Sequence, residues 1–291
     1  RNIDLQKFIS STLTAGEPAE TEIVLHGNDE KFLQLHGTAL TDSNGKKLGA
    51  LVILNDITRL KRLETVRKDF VANVSHELKT PITALKGCVD TLSSSAQRSP
   101  GENARFLAMM ERQVERLNAI VEDLLSLSRI EHDTEHKRIP LEQGNICDVL
   151  HRAAQAFAKT ADAKGITVKV ECPGSLAAQI NSALLEQAVG NLIDNAIKYS
   201  GERTHVVVSG RQGDSDIEIA VSDEGPGIEK KHISRIFERF YRVDQSRSRA
   251  LGGTGLGLAI VKHIVLAHNG AVSVESNPGR GSSFIIHIPR R

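Results

Sequence analysis

The spacing of apolar residues divides the chain into three stretches. In residues 1–57, apolar-rich or alternating runs predict β-strands at Glu22–His26, Phe32–Leu40 and Leu48–Ile57. Asn44-Gly45 lies between the last two runs and favours a tight hairpin, because both residues tolerate positive φ. Three antiparallel strands make a thin sheet with exposed edges. We therefore interpret this region as the back half of a larger sensory module.

From Thr58 the apolar spacing becomes helical. Apolar residues recur at three- and four-residue steps to about Leu92, which predicts a helix with Thr58 as its N-cap. Ser93–Gly101 is predicted to be a loop. A second helix then carries a coiled-coil-like seam of Leu107, Met110, Val114, Leu117, Val121 and Leu124. This apolar face is widened by Phe106, Ile120 and Leu127. We therefore predict that the helical hairpin pairs with a second copy to form a four-helix bundle.

The third stretch mixes strand and helix patterns. It follows a charged, histidine-rich segment, Ile130–Arg138, which is predicted to be a linker. The predicted helices are 146–164, 183–199 and 256–268, and the predicted strands are 166–171, 206–210, 217–223, 271–276 and 283–288. This order is typical of an α+β layer with helices on one face of a mixed sheet.

Composition narrows the classes of protein that fit. The chain has 291 residues, 40% hydrophobic and 25% charged, and its net charge of +1 gives no electrostatic case for binding nucleic acid or an anionic membrane. No apolar run approaches the ~20 residues that cross a bilayer. The chain opens on Arg1, which indicates a fragment or a processed product. Cys88, Cys147 and Cys172 are widely spaced, so we expect buried, unpaired thiols and a reducing compartment.

The segment Asn73–Pro81 places reactive groups close together on the first long helix. His76 and Thr80 are four residues apart and share a face, and Glu77 can reach the same surface. A neutral imidazole is a nucleophile at pH 7, and a neighbouring carboxylate can orient the ring and take up its proton. An exposed histidine beside a helix-forming glutamate explains the same residues. This segment alone does not decide between the two interpretations.

A polar stripe runs along the helix predicted at 183–199. Asn191, Asn195 and Lys198 fall on one face of it. Amide oxygens suit Mg²⁺, which takes few protein ligands, and the lysine can meet phosphate charge. An ordinary solvated helix face is the alternative, although asparagines in the middle of a helix are poor helix formers.

Two glycine-rich segments follow. Asp223 ends a predicted strand and can accept a hydrogen bond from an exocyclic amine such as that of adenine, while Gly225 and Gly227 let backbone approach a flat base. Taken alone, this motif is better explained as a plain turn. The run Gly252–Leu258 leads into a helix N-terminus, where free N–H groups bind anions. Glycine flexibility alone is the other explanation of that run.

Between the glycine segments lie an aromatic box, Phe237–Arg242, and a basic segment, Gln245–Leu251, that contains Arg247 and Arg249. A hinge with a lid over phosphates and a solvated loop with anchoring aromatics explain these residues about equally well.

The order of these motifs resembles one protein family. A His-Glu-Leu-Lys-Thr-Pro box, an Asn-rich helix, an Asp-x-Gly-x-Gly segment, an aromatic box and a Gly-x-Gly-Leu-Gly run closely resemble the sensor histidine kinases of two-component signalling, of the HisKA type. The resemblance covers roughly residues 58–290. Residues 1–57 resemble the C-terminal half of a PAS domain, and Asp56-Ile57-Thr58 resembles its usual exit into the signalling helix. Within the family, the arrangement is most similar to phosphate-regulon sensor kinases.

The resemblance implies an α+β multidomain fold. Residues 1–57 would be a partial PAS-like antiparallel sheet. Residues 58–134 would be the signalling helix and the dimerisation and histidine-phosphotransfer hairpin of a dimeric four-helix bundle. Residues 139–291 would be a Bergerat-type α/β sandwich that binds ATP.

The resemblance also implies roles for individual residues. His76 would be the phospho-acceptor and Glu77 its general base, while Thr80 would orient a water for dephosphorylating a partner and Pro81 would bend the helix. Asn195 would hold Mg²⁺. The nucleotide would be contacted by Asn191, Lys198 and Tyr199, its adenine by Asp223, and the rest of the ATP pocket and lid would be formed by Gly225, Gly227, Gly253, Thr254, Gly255, Leu256 and Gly257. The helix with the asparagine stripe starts at Asn181-Ser182, where the family often has Asp, and Asn caps as well as Asp.

The implied activity is that of a protein-histidine kinase. His76 would attack the γ-phosphate of ATP, and the phosphoryl group would pass to an aspartate of a response regulator receiver domain, with phosphatase activity towards that regulator. The implied setting is a homodimer, the cytoplasmic portion of a membrane-anchored bacterial sensor, with any membrane segment upstream of this chain and no nucleic-acid partner. An ATPase of the topoisomerase or mismatch-repair kind would lack the hairpin motif around His76. A degenerate kinase acting as a scaffold would not bind nucleotide. The stimulus, the regulator, and phosphorylation within or between protomers stay open.

Overall fold

The computed structural model describes residues 3–15, 18–27, 29–43, 47–94, 100–244 and 252–290. The chain divides into two compact units, Arg1–Ser75 and His76–Arg291. Within the described residues, no helix combines the length and the apolar character needed to cross a membrane.

The first unit contains the three predicted strands and a helix that the pattern did not predict. Helix α1 (Ile3–Ala15) precedes β1 (Ala19–Leu25), β2 (Lys31–Thr41) and β3 (Lys47–Asp56), which pair antiparallel in the order β1-β2-β3. Phe8 of α1 is buried in a small core with Ile23 and Leu35. The predicted hairpin dipeptide, Asn44-Gly45, lies outside the described residues.

Helix α2 (Thr58–Ser93) is the first arm of the hairpin. Thr58 is not its N-cap as expected but its first residue. Its N–H donates to the Asp56 carboxylate at 2.9 Å, and its hydroxyl accepts from the Phe32 N–H at 2.9 Å. Asp56 therefore provides the side-chain acceptor at this helix N-terminus. The helix continues through Pro81, which is buried.

Helix α3 (Pro100–Glu135) is the second arm, and the prediction of a linker from Ile130 was wrong. The Cys88 thiol lies 3.6 Å from the Met109 sulfur, and Glu77 pairs with Arg116, so α2 and α3 run antiparallel. The end of α3 stays helical because Leu127 and Ile130 are buried in the core of the following α/β region. Part of the apolar face assigned to a second copy therefore packs within one chain.

The rest of the chain is a layered α/β domain. Its elements are β4 (Glu142–Asn145), α4 (Ile146–Ala156), α5 (Ala158–Ala163), β5 (Thr167–Glu171), β6 (Ala177–Ile180), α6 (Ser182–Tyr199), β7 (His205–Gln212), β8 (Asp216–Asp223), α7 (Lys230–Ile233), α8 (Gly257–Ala267), β9 (Ala271–Ser276) and β10 (Ser282–Pro289). The main sheet has the order β5-β7-β8-β10-β9, with β5 and β7 parallel and the other pairs antiparallel. The mixed sheet with helices on one face is as predicted.

Two details of this domain differ from the prediction. The helix expected at 146–164 is broken at Phe157 into α4 and α5, and the short pair β4–β6 was not predicted. Alternate residues of β7, β8 and β10 point into a core shared with α6 and α8. Each fully buried aliphatic side chain there contributes about 1.5–3 kcal/mol relative to an exposed one.

Two of the cysteines are paired, so the expectation of three free thiols was wrong. Cys147, at the start of α4, forms a disulfide with Cys172, just after β5, across a Cα–Cα distance of 5.7 Å. Gly210 leaves room for this bond, since a Cβ there would lie 2.9 Å from the Cys172 sulfur. Spacing along the chain could not show that these two ends meet. Cys88 is free and buried, as expected.

Candidate functional site

The polar stripe of α6 faces a cavity because the opposite, apolar face of the helix packs in the core. Asn181 caps the helix as the sequence suggested, with its side chain accepting from the Leu184 N–H at 3.1 Å. Leu192, Ile193, Ala196 and Ile197 are buried against the sheet. Asn191, Asn195 and Lys198 are half-buried on the opposite side. Lys198 is held by Asp194 one turn earlier, with Nζ 2.6 Å from the carboxylate.

The end of β8 forms a second wall in which glycine is required. The Gly225 N–H donates to the Asp223 carboxylate at 2.7 Å, and a Cβ on Gly225 would lie 2.6 Å from that same oxygen. Gly227 has φ +70°, and a Cβ there would lie 2.1 Å from the Asn277 carbonyl oxygen. Burial raises the pKa of the Asp223 carboxyl, although hydrogen bonds from the N–H groups of Gly225 and Ser282 oppose that rise.

The third wall is the glycine-rich turn before α8. Thr254 is buried, and its hydroxyl accepts from the Leu256 N–H at 3.2 Å. Gly255 has φ +78°, and a Cβ there would lie 3.0 Å from the Phe240 Cα. The Asn191 amide donates to the Gly257 carbonyl at 3.4 Å, which ties α6 to this turn.

The aromatic box packs beside that turn, as either interpretation of it allows. Phe237 packs edge-on against Phe284, and the Phe240 N–H donates to the Gly255 carbonyl at 2.8 Å. The Tyr241 hydroxyl lies 2.7 Å from His232 Nδ1, and Arg235 stacks over the Tyr241 ring. The basic segment predicted to be a lid, 245–251 with Arg247 and Arg249, lies outside the described residues.

These three walls enclose a cavity of about 430 Å³, called here the central cavity. Ten of the predicted nucleotide-binding residues line it: Asn191, Asn195, Lys198, Tyr199, Asp223, Gly227, Gly253, Thr254, Gly255 and Gly257. Gly225 supports the wall through Asp223, and Leu256 is fully buried in the core. Oxygen atoms of Asp194 and Asn195 lie on one wall and are the donors that a hard divalent cation prefers.

The hairpin residues lie just outside the cavity. His76 is exposed, and the Thr80 hydroxyl donates to the His76 carbonyl at 3.1 Å. The Glu77 carboxylate accepts from Arg116 at 2.8 Å and from Arg242 at 3.1 Å. Arg242 lines the cavity and also donates to the Gly253 carbonyl at 2.7 Å. A single guanidinium group therefore joins the residue next to His76 to the glycine-rich turn.

Both of these arginines are largely buried. Their side chains are 10% exposed for Arg116 and 5% for Arg242. Among the described residues, neither Nε atom has a hydrogen-bond acceptor. Sequence reasoning assigned no role to either arginine in the site, although Arg242 stood in the aromatic box.

Helix α3 supplies residues that sequence reasoning also missed. Ala119 and Asp123 line the central cavity, and Asp123 accepts a hydrogen bond from the Thr254 hydroxyl at 2.6 Å. Burial is the main cause that raises the pKa of the Asp123 carboxyl. No local pattern could reveal this contact, because its partners are 131 residues apart.

A second polar contact docks the end of α3 on the α/β domain. Glu131 forms an ion pair with Arg239 and lies 3.1 Å from His263 on α8. Burial, and then the positive charge of Arg239, lower the pKa of His263 to about 4. The imidazole is therefore neutral in this arrangement near pH 7.

A cavity of about 430 Å³ therefore lies in an α/β layer, next to a helical hairpin that carries an exposed histidine. Residues 66–133 match the family model described as "His Kinase A (phospho-acceptor) domain". Residues 180–291 match the model described as "Histidine kinase-, DNA gyrase B-, and HSP90-like ATPase".

Similar proteins carry the same description. The chain is 42% identical over 241 residues to the sensor-like histidine kinase SenX3 of Mycolicibacterium smegmatis, covering 82% of this chain and 62% of SenX3. It is 36% identical to the phosphate regulon sensor protein PhoR of Pseudomonas aeruginosa, covering 82% of this chain and 53% of PhoR. The solved structure of full-length ShkA in complex with AMPPNP is 27% identical, with a TM-score of 0.53, over 76% of this chain and 45% of ShkA.

The chain belongs to the sensor histidine kinases, and phosphate-regulon sensors are among its relatives, as the motif order predicted. It spans about 62% of the length of SenX3.

Proposed function

We propose that this chain transfers the γ-phosphoryl group of ATP to His76 and then to an aspartate of a response regulator. The observation that carries the proposal is the contact of Glu77, next to His76, with Arg242 on the wall of the central cavity. Through it, the predicted acceptor helix and the predicted nucleotide site are neighbours within one compact unit.

The residues that line the central cavity have the chemistry to bind ATP. The turn before α8 offers backbone N–H groups for phosphates, Lys198 offers positive charge, and Asp223 offers an acceptor for an exocyclic amine. The matched family model is that of an ATPase, and the similar protein ShkA was solved with AMPPNP. Asn195, with Asn191 beside it, would hold Mg²⁺, which would neutralise phosphate charge when bound.

The chemistry assigned to the hairpin is a single displacement. One imidazole nitrogen of His76 attacks the γ-phosphorus, the bond from that phosphorus to the bridging oxygen breaks, and ADP leaves. Glu77 takes up the proton from the other nitrogen. Thr80 would orient the water that later dephosphorylates the regulator. In the present arrangement two guanidinium groups bind the Glu77 carboxylate, so part of its capacity to accept hydrogen bonds is already used.

The partners follow from the hairpin. Leu107, Val114 and Val121 of the predicted seam are exposed on α3, which supports pairing with a second copy. A receiver domain of a response regulator would accept the phosphoryl group. We keep the boundaries 1–57, 58–134 and 139–291 as proposals, together with the PAS-like nature of the first region and anchoring to a membrane through segments outside this chain.

Incubation of the chain with γ-labelled ATP and Mg²⁺ tests the proposal. We expect an acid-labile, base-stable label on the wild type and none on His76→Ala, with His136→Ala, an exposed histidine beyond the end of α3, as the matched control. Undiminished label on His76→Ala, or none on the wild type, contradicts the proposal. Binding of ADP to His76→Ala shows that the variant is folded.

A further inference from the structure

One carboxylate in the central cavity has no role in the proposed chemistry. Asp123 is contributed by the hairpin and not by the α/β domain, yet it lines the same cavity as Asn195, Lys198 and the turn before α8. Its contact with Thr254 places the carboxylate on the turn whose N–H groups are suited to phosphate.

The charges around Asp123 place it at the phosphate end of the cavity. Lys198 attracts the carboxylate, and Asp194 and Glu122 repel it. Lys198 and Asp194 form an ion pair on the α6 wall, whereas Asp223 marks the predicted adenine end. A triphosphate bound with its charge near Lys198 would therefore lie close to two carboxylates, those of Asp123 and Asp194.

The geometry points to a charge gate. We propose that the Asp123 carboxylate repels the terminal phosphates of the nucleotide. Nucleotide binding and the docked position of α3 therefore disfavour each other. This effect grows with the number of phosphates. This inference rests on the proposed function, since it concerns the same nucleotide site. In the docked arrangement, the hairpin would therefore lower the affinity of the cavity for ATP.

The physical reason is that Asp123 is partly buried in the cavity wall, where the effective dielectric is lower than in bulk water. Two like charges repel each other more strongly at the effective dielectric near a protein surface than they do in bulk water. Asp123 is shielded from water, which strengthens that effect, and its hydrogen bond with Thr254 holds it in place. Docking through Glu131 and Arg239 keeps the carboxylate in the cavity wall.

Calorimetric titration with ATP, ADP and AMP, in EDTA and again with Mg²⁺, tests the gate. Asp123→Asn removes the charge but keeps an acceptor for the Thr254 hydroxyl, so the turn should stay in place. We expect this variant to bind ATP about fivefold or more tightly than the wild type in EDTA, ADP about twofold, and AMP equally; fivefold corresponds to about 1 kcal/mol. Glu115→Gln, which removes a charge from an exposed position of the same helix, should change nothing.

A second variant keeps the charge and changes the side chain. Asp123→Glu retains a carboxylate at this position, so its ratio of ATP to ADP affinity should stay closer to the wild-type value than that of Asp123→Asn does. An unchanged ratio in Asp123→Asn overturns the gate alone. Weaker binding of the Mg²⁺ complex by Asp123→Asn also overturns it and assigns the carboxylate to the metal. Absence of nucleotide binding in the wild type overturns both the gate and the proposed function.

Discussion

Glu77 and Arg242, which are 165 positions apart, form an ion pair with Oε2 and Nη2 at 3.1 Å. Both side chains are mostly buried, at 19% and 5% exposure. Breaking a buried pair by removing one partner costs more than losing an exposed one, because a charge is left without compensation. The pair therefore holds the hairpin and the turn before α8 together, and it competes with any role of Glu77 as a base for His76.

Replacing Glu77 with Gln should remove most of the kinase activity. The amide cannot accept the imidazole proton, so we expect label transfer to His76 to fall by about 100-fold or more. ADP affinity should change little, because Glu77 does not line the cavity. Asp90→Asn, an exposed acidic position on the same helix, is the control. Rapid-quench labelling measures the rate, and normal labelling by Glu77→Gln would remove the residue from the mechanism.

Replacing Thr80 with Ala should separate the two activities of the hairpin. The Thr80 hydroxyl is exposed and, among the described residues, binds a carbonyl of its own helix and no other group, so its loss should leave most of the autophosphorylation intact. We expect dephosphorylation of a cognate phosphorylated regulator to slow by tenfold or more. Thr83→Ala, whose hydroxyl makes the same kind of bond to the Lys79 carbonyl, should retain both activities. Equal loss of both activities in Thr80→Ala would mean that the roles have been divided wrongly.

Replacing Asp223 with Asn should weaken adenine recognition. The new side chain can still accept from the Gly225 N–H, so the wall should remain. A hydrogen bond to a charged acceptor contributes about 1.5–3 kcal/mol, which corresponds to a loss of ADP affinity of about 10- to 150-fold. Wild type should prefer ADP over IDP, which lacks the exocyclic amine, and Asp223→Asn should lose this preference in titrations. Asp214→Asn, in the exposed turn before β8, should keep it.

Replacing Gly227 with Ala should unfold the wall at the end of β8. Its positive φ costs an L-residue about 1–2 kcal/mol, and the added Cβ would also meet the Asn277 carbonyl oxygen. Gly279→Ala is the matched control, since Gly279 has φ +77° but open space around its Cβ. The fall in the free energy of unfolding should be clearly larger for Gly227→Ala, by chemical denaturation. Equal losses would show that the close approach to Asn277 is relieved without cost.

His263 should make stability depend on pH. Its pKa is lowered to about 4 in the folded protein from an ordinary value of 6.5, so the unfolded chain binds more protons between these values. Its contribution is complete above about pH 6.5 and is lost as the pH falls towards 4. The resulting change in the free energy of unfolding is at most about 3 kcal/mol. Solvent screening reduces it, because the side chain is 29% exposed.

Thermal unfolding between pH 4 and pH 8 measures this effect. His263→Gln should flatten the curve relative to wild type, and His151→Gln, at an exposed position of α4, should not. An identical curve for wild type and His263→Gln would show that the histidine is equally solvated in both states.

The layered α/β domain could be predicted because its signals are local. A helix cap is predicted by Asn181 alone, and a strand by the alternating core residues of β8. The glycines around Gly227 predict a close approach of the backbone. Ten of the residues that line the cavity lie in the predicted motifs. The three strands of the first unit could be predicted in the same way. Helix α1 could not, because it is short and its burial depends on Phe8.

What could not be predicted depends on contacts between distant segments. The Cys147–Cys172 bond, the Asp123–Thr254 hydrogen bond and the Glu77–Arg242 pair each join residues that no periodicity relates. The continuation of α3 beyond Ile130 has the same origin. The charged residues there predicted a linker. The segment is helical because Leu127 and Ile130 are buried against the α/β core.

Near residue 122, helix α3 presents two opposite faces, one to the exposed seam and one to the central cavity. Val121, on the exposed seam, and Asp123, on the cavity wall, are two residues apart, which puts them about 200° apart around the axis. A rotation of α3 by about 20° would move side chains at about 5 Å radius by nearly 2 Å, in opposite directions on the two faces. A rotation of α3 that shifts the exposed seam therefore also shifts the Asp123 side of the central cavity.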